Sequence, residues 1–187
     1  MTEIIKEIQE RRARRAFAPD GLEKEVLERI LTAATLAPSC SNKQPWRFLV
    51  CTRGPALESA RQALNGGNYW AAVAPVLIVA TTRDDRDCQL NDDRNYAQFD
   101  TGMAVMNLML QAVREGLYVH PMAGFDPAKL REAFEIGPET RVITMIALGR
   151  PGDASHLNEK HSESETSAQE RKPLDEVVRW DTWSDQP

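Results

Sequence analysis

The stretch from Tyr96 to Glu115 constrains this chain more than any other. Met103, Ala104, Val105, Met106, Leu108, Met109, Leu110, Ala112 and Val113 leave a helix at this place almost no polar face. A helix that is apolar all round has to be covered all round. A single domain of 187 residues seldom wraps one helix so fully, so a second subunit is the natural further cover. An ordinary methionine-rich core is the other reading. Gly116 ends the helix.

The rest of the pattern fits one domain over residues 1–187. A first helix, capped by Thr2, places Ile4, Ile5 and Ile8 on one face. A second runs from about Leu22 to Leu36, with Val26, Leu27, Ile30, Leu31 and Ala34 at helical spacing. Phe48 to Thr52 reads as a strand, and Ala56 to Leu64 as a helix. Val76 to Thr81, apolar almost to its end, reads as a strand buried on both faces. A short strand spans Leu117 to His120, Asp126 caps a helix whose first residue is Pro127, and Val142 to Leu148 is the last strand. The polar stretch near 152–170, with His156 and His161, reads as a solvated linker. In the tail beyond it, Trp180 and Trp183 need a surface to cover, and a partner subunit would supply one.

Charge and composition remove several function classes. A net charge of −5 argues against nucleic acid as the main partner. No apolar run approaches the roughly 20 residues that span a bilayer, and the first residues, Met-Thr-Glu-Ile-Ile-Lys-Glu, are charged where a secretory leader is apolar. Cys40, Cys51 and Cys88 are odd in number and lack metal-type spacing, so reduced thiols in a cytoplasm are expected. The aspartates of residues 83–95 have no flanking ligands of fixed spacing; a solvated loop is expected there, and no metal.

Two segments carry chemistry. Ala37 to Phe48 reads Ala-Pro-Ser-Cys-Ser-Asn-Lys-Gln-Pro-Trp-Arg-Phe, a polar loop between a helix and a strand. Pro38 stops the helix, and Ser39, Ser41 and Asn42 can satisfy local backbone or a ligand's polar edge. Arg11-Arg12-Ala13-Arg14-Arg15-Ala16-Phe17 has two readings. One is a solvated cationic helix end. The other is an anion site, since arginine offers a planar fork of donors.

The first segment, as Ala-Pro-Ser-x-x-Asn-x-Gln-Pro-Trp-x-Phe, resembles the signature loop of the nitroreductase family, flavin-dependent NAD(P)H oxidoreductases. The run from Arg11 to Phe17 resembles the family's N-terminal Arg-Arg-Ser-x-Arg-x-Phe, and Gly67-Asn68 its second loop. Asp100, Gly102, Asn107, Leu110, Ala112, Gly116 and Leu117, then Pro121 to Asp126, Leu148-Gly149-x-Pro151 and Arg171-Lys172-Pro173-Leu174, match its second half in order.

The resemblance implies an α+β fold, a central mostly antiparallel sheet flanked by helices, in an interlocked homodimer with noncovalent FMN at the subunit interface. Carried over by position, Arg11 and Arg171 would hold the phosphate, with Arg12 and Ala13 along the phosphate and ribityl chain. Arg15 and Asn68 would sit at the pyrimidine edge, where negative charge builds on reduction. Pro38, Ser39, Cys40 and Asn42 would come from the other subunit. Pro121 and Met122 would lead to Ala123 and Gly124, whose amides would lie by the flavin N5; no side chain is singled out as catalytic. Ala13 stands where a small hydroxyl residue is usual, Cys40 where serine is common, and Gln169 at a place often basic. The implied activity is reduction of a small organic acceptor such as a nitroaromatic or quinone by NAD(P)H, in a ping-pong mechanism. A reductive dehalogenase-type member, or a flavin-binding regulatory or storage protein, are the alternatives.

Overall fold

The computed structural model describes residues 4–92 and 94–183. Four strands form one antiparallel sheet in the order β1-β2-β4-β3: β1 Arg47–Cys51, β2 Val76–Thr82, β3 Tyr118–Met122 and β4 Arg141–Gly149. The two central strands carry the longest apolar runs because both their faces are covered. Side chains alternate across a strand, and here the alternation feeds two cores. Leu77, Val79, Met145 and Ala147 point into one, with Phe17, Trp70, Leu57 and Ala60 of α3 (Gly54–Gln62) and Leu130 of α5 (Pro127–Phe134). Val76, Ile78, Ala80, Ile146 and Leu148 point into the other, with Leu27, Ile30 and Ala34 of α2 (Lys24–Thr35) and Val105, Leu108 and Met109 of α4 (Tyr96–Arg114). The α+β architecture expected from the sequence is present as three layers, helix–sheet–helix.

Local chemistry sets most element ends. The Asp126 carboxylate accepts from the amides of Ala128 and Lys129 and starts α5, with Pro127 at its first position. Gly116, at φ 74°, ends α4 as its lack of a Cβ permits. Pro121 lies inside β3, one residue beyond the expected strand end; β3 is an edge strand, where a missing N–H costs no ladder bond.

Helix α4 is buried on one side only. Ala104, Val105, Leu108 and Ala112 are covered, while Phe99 is 57% exposed and Met103, Met106 and Leu110 are half-buried. The first helix, α1 (Lys6–Glu10), leaves Ile4, Ile5 and Ile8 exposed, and its expected cap, Thr2, lies outside the described residues. The tail carries α7 (Leu174–Val177) and exposes Trp180 and Trp183. The polar stretch expected as a linker contains a helix, α6 (Glu159–Thr166), capped by the Asn158 side chain and anchored by the buried Glu165. No helix among the described residues is long and apolar enough to cross a membrane.

Candidate functional site

Of the arginine run only Arg11, the C-cap of α1 (φ −58°, ψ 120°), closes a helix; the residues beyond it up to Phe17 are not helical, and the Phe17 amide turns back to the Arg15 carbonyl at 3.1 Å. The run is held on both sides. Phe17 bridges Pro151, the Ala18 amide donates to the Arg150 carbonyl at 2.9 Å, and the Gly152 amide to that of Ala16 at 2.8 Å. The Arg15 amide donates to Glu165 Oε1 at 2.8 Å, and the Arg12 guanidinium to the Ser167 carbonyl at 2.6 Å. Helix α6 therefore positions the arginines, a role invisible in a polar sequence.

Arg11, Arg12 and Arg171 converge from opposite ends of the chain. Burial, then the charges of Arg171 and Arg12, lower the Arg11 pKa from its ordinary value. Among the described residues no carboxylate forms an ion pair with any of the three. Cations gathered against their own repulsion, without a counter-charge, make a place for an anion. Ala13, in the same run, is exposed.

Toward β3 the surroundings become aromatic. The Arg15 guanidinium lies 5.6 Å from the Trp70 ring centroid, and Trp70 packs on His120 at 4.4 Å. A carbonyl can only accept, so the 3.0 Å contact between His120 Nδ1 and the Arg14 carbonyl places the proton on Nδ1. Burial, with Arg15 and Arg11 nearby, holds the His120 pKa down at about 4, so this imidazole is neutral at physiological pH. Asn68 donates from Nδ2 to the Gly124 carbonyl at 2.8 Å, which also accepts from the Asn65 amide at 3.1 Å. Gly124 has no spare room: a Cβ there would sit 2.7 Å from Asn68 Nδ2. The structure thus brings Arg15, Asn68, Ala123 and Gly124 into one neighbourhood, where β3 ends with Pro121 and Met122.

The signature loop belongs to a second neighbourhood. Pro38, Ser39 and Cys40 line a cleft of about 470 Å³ with Leu90, Arg94, Tyr96, Phe99, Asp100 and Met103. The loop contains a short helical turn, Cys40–Asn42. Its anchor is the fully buried Asp100, whose Oδ2 accepts the Cys40 amide at 2.7 Å. The loop precedes β1 and the Ala123-Gly124 segment follows β3; the pairing register puts both at the same end of the sheet but on opposite edges. Three strand spacings, about 14 Å, separate those edges.

Two expectations from the sequence are corrected here. Cys40 and Cys88 are not reduced thiols but a disulfide, with Cα atoms 6.0 Å apart; only Cys51 is free, and its burial raises the thiol pKa to about 11. A separation of 48 residues and an odd cysteine count hid the pairing. The 83–95 loop is not simply solvated. Asp84 takes a bidentate pair of bonds from Arg141 and one from Asn95, and Asp87 is only 5% exposed.

Asp87 and Asp100 face each other, and as two carboxylates Asp87 Oδ2 and Asp100 Oδ1 are buried acceptors that only a proton held between them can satisfy. Burial first, then the neighbouring Asp100 carboxyl, raises the Asp87 pKa above the carboxylate range, while the bond from the Cys88 amide acts the other way. A carboxyl whose folded pKa is raised contributes its stability at low pH and loses it as pH rises through the folded value. Asp87→Asn stays neutral and can donate to Asp100. Its thermal stability should therefore come closest to wild type at low pH, below the ordinary carboxylate value, and exceed it as pH rises from there. The gain should be of the order of the ~1–3 kcal/mol that an unsatisfied buried polar group costs. Parallel melting curves across that range would contradict the pairing.

The nitroreductase family profile matches residues 8–67 and 54–150. An uncharacterised 15.4 kDa protein of Mycolicibacterium smegmatis is 33% identical over 146 residues, 73% of this chain and 97% of that protein. A protein of Thermus thermophilus named NADH dehydrogenase is 28% identical, covering 96% of this chain and 94% of its own length. Among solved structures, one described as an oxidoreductase containing FMN superposes with a TM-score of 0.87 at 30% identity, over 98% of this chain and 94% of that one. With the profile matching from residue 8 to residue 150 and a relative 33% identical over 73% of the chain, this chain belongs to the nitroreductase family.

Proposed function

We propose that the protein is an FMN-dependent oxidoreductase that takes electrons from NAD(P)H and passes them to a small organic acceptor, a nitroaromatic, quinone or similar compound. The observation that carries this reading is the set of Arg11, Arg12 and Arg171, three converging cations with no carboxylate ion-pair partner among the described residues. Their chemistry fits a phosphate. FMN, when bound, supplies two-electron chemistry at N5. The chain's own residues do the rest. Arg11 and Arg171 hold the phosphate and Arg12 and Ala13 flank it, while Arg15 and Asn68 meet the edge where negative charge grows, a fixed cation costing no reorganisation there. The amides of Ala123 and Gly124 orient N5. The neutral His120 holds the Arg14 backbone in place.

The second half of the site comes, on this reading, from a second copy of the chain. Pro38, Ser39, Cys40 and Asn42 lie on the sheet edge opposite Ala123-Gly124, too far to frame one ring from within a single subunit. A homodimer in which each signature loop reaches the partner's arginine cluster closes both sites. It would also cover the half-buried side of α4 and the exposed Trp180 and Trp183. A cytoplasmic setting, where nicotinamide donors are made, completes the proposal.

Mixing the yellow protein anaerobically with NADH or NADPH should bleach the flavin absorbance, and adding a quinone should restore it. If neither nucleotide bleached it, the protein would be a flavin carrier rather than a reductase. A site that admits one stacked ring at a time makes nicotinamide and acceptor alternate. Double-reciprocal plots should then be parallel, with excess acceptor inhibiting against NAD(P)H; intersecting lines would show that both fit together.

A further inference from the structure

The signature loop is tied down more heavily than a loop of its length requires. Ser41, Asn42 and Gln44 have φ of 49°, 57° and 50°, the left-handed region that asparagine tolerates and serine and glutamine enter at a cost. Such a backbone persists only where its surroundings over-determine it. Three ties do so here: the Cys40 amide to Asp100, the Gln44 amide to Ser39 Oγ at 2.9 Å, and the Cys40–Cys88 disulfide. The disulfide alone joins the signature loop covalently to the 83–95 loop, and both loops line the same cleft.

The surroundings of that bond suit its open form as well. Sulfur atoms of both cysteines and a carboxylate oxygen of Asp87 lie within 4.8 Å of one another. Asp87 is buried beside the two sulfurs. A disulfide has no hydrogen to give its carboxylate, whereas two thiols bring two weak S–H donors. Both cysteines are half-buried rather than sealed, unlike Cys51.

We propose that Cys40–Cys88 is a reversible thiol-exchange site, opened by a low-molecular-weight thiol attacking Cys88, and that opening releases the signature loop. Cys88 sits in the outer loop, while Cys40 is anchored through its backbone to Asp100. In the first step the incoming thiolate bonds to Cys88 Sγ, the Sγ–Sγ bond breaks, and Cys40 leaves with the electron pair and takes up a proton. A second thiolate then attacks the sulfur of the bound small thiol, that mixed disulfide breaks, and Cys88 leaves with the electron pair and takes up a proton. Two thiols are oxidised to one disulfide, and the protein pair gains two electrons and two protons. In a reducing compartment such a bond is a sensor rather than a staple. The exchange stands on the cysteine pair alone; any effect on flavin retention rests on the proposed contact between the signature loop and FMN.

The test uses full-length protein purified without reductant, equilibrated in glutathione buffers from fully oxidised to fully reduced. Samples are acid-quenched, alkylated and mapped by peptide mass. Cys40 and Cys88 should titrate together at one midpoint in the folded protein while Cys51 stays unmodified, and Cys40→Ser should accumulate glutathione on Cys88. Tryptic cleavage after Arg86 and Arg94 should accelerate by about tenfold across the same midpoint, as a loop freed to open locally would. Free Cys40 and Cys88 in the air-purified protein, or a pair that opens only after denaturation, would overturn the exchange. Cleavage that ignores the midpoint would overturn the loop release. Faster cleavage with unchanged flavin content would uphold the exchange and count against the contact between signature loop and FMN.

Discussion

Arg171→Ala should purify nearly colourless, and Arg11→Ala with it. A charge-assisted hydrogen bond to a phosphate is worth ~1.5–3 kcal/mol, so each substitution should weaken FMN binding about ten- to a hundredfold. The apoprotein should not suffer. Arg11 already carries a pKa depressed by burial and by Arg171 and Arg12, so removing one cation relieves repulsion. The melting temperature without FMN should therefore stay level or rise, while the increase on adding FMN shrinks. Arg171→Lys, which keeps the charge and loses the fork, should fall between. Full FMN content in Arg171→Ala would show that the three arginines gather for another anion.

Gly152→Ala should be the most damaging small substitution in the chain. A methyl at this position would fall inside the backbone of Phe17 and Ala18, 2.5 Å from the Phe17 carbonyl oxygen. No side chain is there to move aside. The segment Ala16–Ala18 and the segment Arg150–Gly152 are bonded to each other at this crossing, so the added carbon must part them. The expected cost is at the upper end for single substitutions, ~4–5 kcal/mol. That corresponds to a fall in melting temperature on the order of ten degrees, or to insoluble protein. Because the same crossing holds the arginine run, any folded fraction should also bind FMN poorly. Gly66→Ala, with open space around the new methyl, is the control and should melt with wild type.

Much of this architecture was legible because it is local. The apolar run of β2 announces a strand buried on both faces, and Asp126-Pro127 and Gly116 mark helix ends by chemistry that needs no partner. The apolar circumference of α4 calls for cover on every side, and the single chain supplies it on one side only. What escaped depends on distant pairing. Cys40 and Cys88 meet only after β1 and β2 turn back on each other, and Asp87 is buried within a densely charged loop. Glu165 lies in a tract of serine and glutamate with no apolar period; its role is set by the Arg15 amide that reaches it from 150 residues away. The arginine run illustrates the limit from the other side. Its residue types allowed both a solvated helix end and an anion site, and the bonds that hold the end of the run come from residues 150–152, far away in sequence.

Two defective variants, mixed, test the central claim that each site is built from the arginines of one chain and the signature loop of another. Arg171→Ala disables the first half, and Asn42→Gly removes the second half's side chain while keeping its left-handed backbone free of strain. Each alone should show little FMN-dependent turnover. After joint refolding at equal amounts, half of the dimers should be mixed, and each mixed dimer should hold one intact site, so about a quarter of wild-type FMN binding and activity should return. If both halves lay in the same chain, no pairing could restore a site, and a mixture as inactive as its components would contradict the account.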